Sequence, residues 1–178
     1  MKAFIRLSGF LVISGALHAD WSDYKAVSLS EAWAQAGVGP DQSVDTYIGA
    51  PQQYKFLVKA VYTGKIRRIA GGRSHLIVNW GKAMGTPEFT SRFEKEIQVS
   101  ADGLTVWLPI QESLMNEFGQ EATAGVPLNV WIMYIGSAKQ DRVFLVNDFE
   151  ANLIATLAQR SGSSRPGSPA KRSERRSD

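Results

Sequence analysis

The chain has 178 residues, of which 44% are hydrophobic and 21% charged, and it contains no cysteine. That composition suits one ordinary globular domain, and the lack of any thiol excludes a disulfide framework, a cysteine zinc site, a lipidated cysteine anchor and a thiol nucleophile. The net charge of +3 belongs to the ends: residues 1–19 carry +2 and residues 160–178 carry +4, against −3 for residues 20–159, so the basic balance is no sign of nucleic-acid binding by the folded part.

Residues 1–19 read as an export signal. Lys2 and Arg6 form a positive start, Leu7 to Leu17 is a short apolar run, and the small residues Gly15, Ala16 and Ala19 follow. Cleavage after Ala19 is expected, with Ala16 as the alternative, which implies a periplasmic protein; lack of cysteine suits an oxidising compartment. Residues 20–53 hold a short helix and a loop. Ser28 and Glu31 have capping-box spacing before the run Leu29 to Ala36, which Gly37 ends.

Beyond Pro51 the apolar period becomes two. Tyr54, Phe56, Val58, Ala60 and Tyr62 share one face of a long strand and Lys55, Leu57, Lys59 and Val61 the other. Alternation fails past Gly64, as it would at a bulge. Gly71-Gly72 then predicts a turn into a second strand over Arg73 to Met84, with Leu76, Val78 and Trp80 on one face. A third strand, Phe93 to Val99, turns at Ala101-Asp102-Gly103 into a fourth, Leu104 to Leu108, because Asp-Gly between alternating runs favours a tight hairpin. Leu114, Met115 and Phe118 place a helix over Glu112 to Glu121. Leu128 to Ile135 and Val143 to Phe149 form a closing hairpin, and a short helix is expected over 151–160. Residues 161–178 offer nothing to bury and read as a disordered basic tail.

A long bent strand, a meander, one helix and a closing hairpin make a mainly β protein. The pattern over 54–150 resembles the OB-fold, a Greek-key barrel with its helix between the third and fourth strands. The resemblance rests on Tyr54-Lys-Phe-Leu-Val-Lys-Ala-Val-Tyr-Thr-Gly64, Ser113-Leu-Met-Asn-Glu-Phe118 and Arg142-Val-Phe-Leu-Val-Asn-Asp-Phe149. The apparent extra strand leaves a five- or six-stranded barrel and an α+β sheet open.

Chemistry-bearing residues are few. His75 is the only histidine beyond the export signal, so no transition-metal site can be assembled around it, and no serine sits in a Gly-x-Ser-x-Gly elbow. Glu94, Glu96 and Gln98 alternate on one strand face and read as a wet surface. No catalytic, metal or cofactor residue is assigned. What stands out is an acid-free stretch between Asp45 and Glu88 that holds Lys55, Lys59, Lys65, Arg67, Arg68, Arg73 and Lys82, a charge of +7 beside −4 for residues 20–45 and −6 for residues 88–150. The resemblance to the OB-fold implies that these residues border its ligand face. Arg67 and Arg68 beside Gly71-Gly72-Arg73 could grip an anion, while Tyr54, Tyr62 and Trp80 fall on apolar faces and belong to the core. The expected function is a non-catalytic binding or adaptor module that meets an acidic protein partner in an envelope assembly. Single-stranded nucleic acid, an anionic polysaccharide, and a carboxylate-dependent cell-wall hydrolase are the alternatives.

Overall fold

The computed structural model describes residues 21–37, 46–48, 54–138 and 141–151. The expected export signal and disordered basic tail lie outside the described residues, as does the helix expected over 151–160 apart from Ala151, which ends a strand. In chain order the elements are a single 3-10 turn (Trp21–Asp23), β1 (Lys25–Val27), α1 (Leu29–Gln35), β2 (Thr46–Ile48), β3 (Lys55–Arg68), α2 (Gly71–Ala83) and α3 (Pro87–Thr90). β4 (Lys95–Ala101), β5 (Leu104–Ile110), α4 (Glu112–Glu121), β6 (Pro127–Ala138) and β7 (Asp141–Ala151) follow.

The strands run β3-β4-β5-β7-β6, and β6 returns to β3 through the register Lys55↔Met133 to Val61↔Pro127, closing a five-stranded barrel. β5 and β7 are parallel, the other barrel pairs are antiparallel, and α4 sits between the third and fourth barrel strands. This is the OB-type arrangement that the sequence pattern resembles. Two short strands lengthen its edges: β1 pairs with β3 at Phe56 to Val58, and β2 pairs with β6 at Gly136 to Ala138.

Period-two burial builds the core. Phe56, Val58, Ala60 and Tyr62 of β3 face inward with Ile97, Val99, Leu108, Val130, Ile132, Tyr134, Phe144 and Val146. The bulge expected at Gly64 is present, since the five residues of β3 from Tyr62 to Ile66 span only the three of β4 from Val99 to Ile97. Gly64 has φ +86°, and a Cβ there would sit 3.0 Å from the Ala124 methyl. The Asp-Gly hairpin is also present, with Asp102 at φ 53° and Gly103 at φ 76° between paired Ala101 and Leu104. In such a hairpin the flanking pair exchanges both backbone bonds, so Thr105, Trp107 and Pro109 turn their backbone groups away from β4. Pro109, paired with Glu96, therefore lacks an N–H where β4 does not need one.

Facing away from β4 leaves β5 looking toward β7, and there the barrel is held by one ladder pair, Ile110↔Val146. Side chains close the rest of that seam. Beyond the capping bond from the Glu31 N–H to the Ser28 hydroxyl, α1 buries Leu29, Ala32 and Ala36 in the barrel core. Its Trp33 stacks on Phe144 at 5.7 Å, Ser30 N–H donates to Asp102 at 3.4 Å, and Arg142 Nε donates to the Ala36 carbonyl at 2.5 Å. α1 thus reaches from the β4–β5 turn to the start of β7. At the other end α4 inserts Phe118 between Tyr62 and Phe149, with ring centroids 4.9 and 5.0 Å away.

The second strand expected over Arg73 to Met84 is instead the helix α2. Leu76, Val78 and Trp80 do alternate, but Arg73, Leu76, Ile77 and Trp80 are the buried set, and their spacing is helical. They pack outside the closing hairpin against Ile135, Ala138, Val143 and Leu145, forming a second core with Phe93. The apparent extra strand of the sequence is this helix, so the barrel has five strands. Gly71-Gly72 is correspondingly the first turn of α2 and not a strand-to-strand turn, and His75 is exposed on that helix rather than on a strand.

Candidate functional site

The seven basic residues of the acid-free stretch are not gathered on one surface. Lys55 and Lys59 point outward from the first half of β3, where Lys55 Nζ meets Asp23 at 3.4 Å and lies 5.8 Å from the Tyr24 ring centroid. Lys65, Arg67 and Arg68 end the same strand beyond the bulge, roughly 20–30 Å from Lys59 at the usual rise per residue. Lys82 lies nine residues along α2 from Arg73, about 13 Å by helical rise. Lys59, Lys65, Arg68 and Lys82 are exposed and have no ion-pair partner among the described residues.

Arg73 departs from the expected solvent-facing role, being only 7% exposed. Its Nη1 donates to Glu96 Oε2 and to the Trp107 carbonyl, both at 2.9 Å, and its Nη2 donates to Asp141 Oδ2 at 3.2 Å. One side chain from the first turn of α2 thereby ties β4, the outward edge of β5 and the start of β7, bracing the seam from outside. Glu96 also corrects the expectation of a wet surface. Its alternation with Glu94 is real, but Glu94 is exposed and Glu96 is 0% exposed, because Arg73 and Arg67 converge on it.

Arg67 is the half of this network that water reaches. Its Nε donates to Glu96 Oε1 at 2.6 Å, its guanidinium carbon lies 3.9 Å from the centroid of the Trp107 ring, and its side chain remains 44% exposed. Register explains the meeting. Arg67 is opposite Glu96, and Gln98 beside Glu96 is opposite Trp107, so all four point to the outer face of β3, β4 and β5. The Nη amino groups of Arg67 have no partner among the described residues.

A second polar group surrounds Asp148. Burial is the main cause that raises its carboxyl above the ordinary range, the Phe149 N–H opposes it, and the charges of Glu117 and Glu150 add to it. Burial likewise raises the Tyr24 phenol, opposed by the bond from Asn147. Among the described residues no group of three or more His, Asp or Glu side chains could hold a metal ion.

The aromatics interleaved with the basic residues are spent on packing. Tyr54 meets Tyr134 edge-on at 5.6 Å, Tyr62 meets Phe118, and Trp80 packs on Phe89 at 6.0 Å. Trp107 is the aromatic that the sequence reading missed. Its only sequence signal was an aromatic at an outward position of a strand, and nothing in the chain order connects it to Arg67. No helix of the described residues is long and apolar enough to cross a membrane. No protein-family model and no curated protein matches the chain.

Proposed function

We propose that the protein is a non-catalytic OB-type binding module of the bacterial periplasm, and that the end of β3, with Lys65, Arg67 and Arg68, meets an acidic surface of a protein partner in an envelope assembly. The observation that carries this reading is the pairing pattern of the cations. Arg73 and Lys55 are engaged by carboxylates; of the four exposed cations without an ion-pair partner among the described residues, Lys59 and Lys82 stand apart, whereas Lys65 and Arg68 lie together at the end of β3. Both flank a guanidinium already held at the surface. Unpaired surface charge of one sign raises encounter rates and selects the sign of the partner.

A protein partner is favoured over single-stranded nucleic acid because base recognition relies on open aromatic faces. Tyr62 and Trp80 are buried, the half-buried Tyr54 packs edge-on against Tyr134, and Trp107 carries Arg67 on its ring. The export signal read in residues 1–19 supports a location outside the cytoplasm. The reading is tested by affinity purification from the cell envelope with wild type, the K65E/R68E double variant and K82E. A stoichiometric partner with an acidic surface should be recovered by wild type and K82E and lost with K65E/R68E. Equal recovery by all three would remove this face from the proposal.

A further inference from the structure

We propose that Arg67 is a preformed seat for a side-chain carboxylate of the acidic partner segment, held in its binding pose by Trp107 and Glu96. This rests on the preceding reading and assigns it a contact residue.

A free arginine must give up side-chain freedom to form a forked bond, and Arg67 has already done so. The guanidinium is anchored at two points, over the Trp107 ring at 3.9 Å and through the 2.6 Å bond from Nε to Glu96. Nε is therefore used, while Nη1 and Nη2 have no partner among the described residues on a side chain that is 44% exposed. That pair matches the two oxygens of a carboxylate.

The charge arithmetic also favours an anion. Glu96 alone would neutralise Arg67 and leave nothing to attract a ligand. Arg73, at 2.9 Å from the other carboxylate oxygen, supplies a second cation, so the triad of Arg67, Arg73 and Glu96 keeps one net positive charge. Asp141, bonded to Arg73 at 3.2 Å, brings the four-residue group to formal neutrality, so the surplus positive charge of this face comes from neighbouring cations. Lys65, two residues before Arg67 and on the same strand face, supplies that surplus, while Arg68 alternates to the other face. The indole beneath Arg67 keeps water from one face of the guanidinium, which strengthens a bond formed at its edge. The occupant is an acidic peptide segment rather than a phosphate polymer because one fixed fork, on a ring that is already covered, offers no stacking site for a base.

The experiment uses the full chain and a synthetic ten-residue glutamate-rich peptide as probe, with a thymidine decanucleotide for comparison. Side-chain NMR signals of Arg67 Nε and Trp107 Nε1 report the site separately from binding elsewhere on the chain. Wild type should show saturable shifts of both signals with the peptide. R67K keeps the charge but cannot form the fork, and it should weaken the affinity read at Trp107 Nε1 about tenfold, the value of one forked, charge-assisted bond over a single one. K82Q should change it less than about twofold, as expected for an exposed charge outside the site. A melting curve for each variant shows that the fold is intact. Weakening by R67K no greater than by K82Q, with the peptide still bound, overturns the seat while leaving the basic face standing. Shifts produced more tightly by the decanucleotide overturn the choice of a carboxylate. Absence of any shift at Arg67 with either probe overturns both the seat and the face on which it rests.

Discussion

A carboxylate that loses all contact with water, as Glu96 does, pays on the order of several kcal/mol in desolvation, which well-placed cations must offset. Arg73 is the partner that does this from within the protein, while Arg67 remains half in solvent. Replacement R73M should therefore destabilise the fold by about 3 kcal/mol, the cost of stripping a buried ion of a partner. K59A at an exposed position should stay within about 0.5 kcal/mol; urea unfolding distinguishes the two. Asp148 is the converse case. Its folded form holds a proton more tightly than the unfolded chain does, so stability declines as pH rises from the ordinary carboxylate range through its raised pKa. Asn at this position keeps an oxygen for the Phe149 N–H. D148N should thus melt higher than wild type at neutral pH, and the difference should vanish once pH falls below the ordinary carboxylate range. A difference that persists at the acid end would show that repulsion and burial of the charge are not its cause. The burial of Glu96 was not legible in the sequence, because its partner approaches from α2 and strand alternation reports only the face of a sheet. Arg67 was legible as a candidate cation; the ring beneath it and the carboxylate beside it were not.

Among the elements, β3, β4, β5, α4 and the closing hairpin follow from local signals: period two, Asp102-Gly103 for the tight turn, Gly64 for the bulge, and Leu114, Met115 and Phe118 for the helix. β1 and β2 span three residues each, too few to display a period, and exist through pairing with distant strands. α2 was misread because Leu76, Ile77 and Trp80 serve a helical stripe while Leu76, Val78 and Trp80 also alternate; the second core decides between them. One glycine in α2 shows how closely that core is fitted. A Cβ on Gly81 would stand 2.0 Å from Thr90 Cγ2 and 3.1 Å from the Thr86 carbonyl oxygen. G81A gains about 1 kcal/mol of helix propensity, but overpacking costs about 1–3 kcal/mol, and the 2.0 Å approach places it at the upper end. Net destabilisation is expected. T90S removes the offending methyl while keeping the hydroxyl bond to the Pro87 carbonyl, so the double variant G81A/T90S should recover most of the loss. Equal melting temperatures for G81A and the double variant would show that the strain lies with the backbone.

At the scale of the whole molecule, the proposed function requires export followed by folding of the barrel. Intact-mass measurement of the periplasmic fraction should find a chain beginning at Asp20; a cytoplasmic chain retaining Met1 would return nucleic acid to first place among ligands. The barrel order was legible through the position of α4 between strands, while the surface was not, since the cations that looked continuous along the chain are divided by the length of β3 and the depth of Arg73. The seam between β5 and β7 gives the molecule a line of least resistance. Every other neighbouring pair of barrel strands is stitched by several ladder positions, and this one by Ile110↔Val146. Subglobal opening should begin there, and it would be recorded in amide hydrogen exchange. The N–H groups of Thr105 and Trp107, facing the seam, should exchange at a lower opening energy than those of Val130 and Ile132 in β6, which lie between two partners. Loss of Arg73 should lower the first threshold further than the second, so the barrel would breathe along one stave before it comes apart.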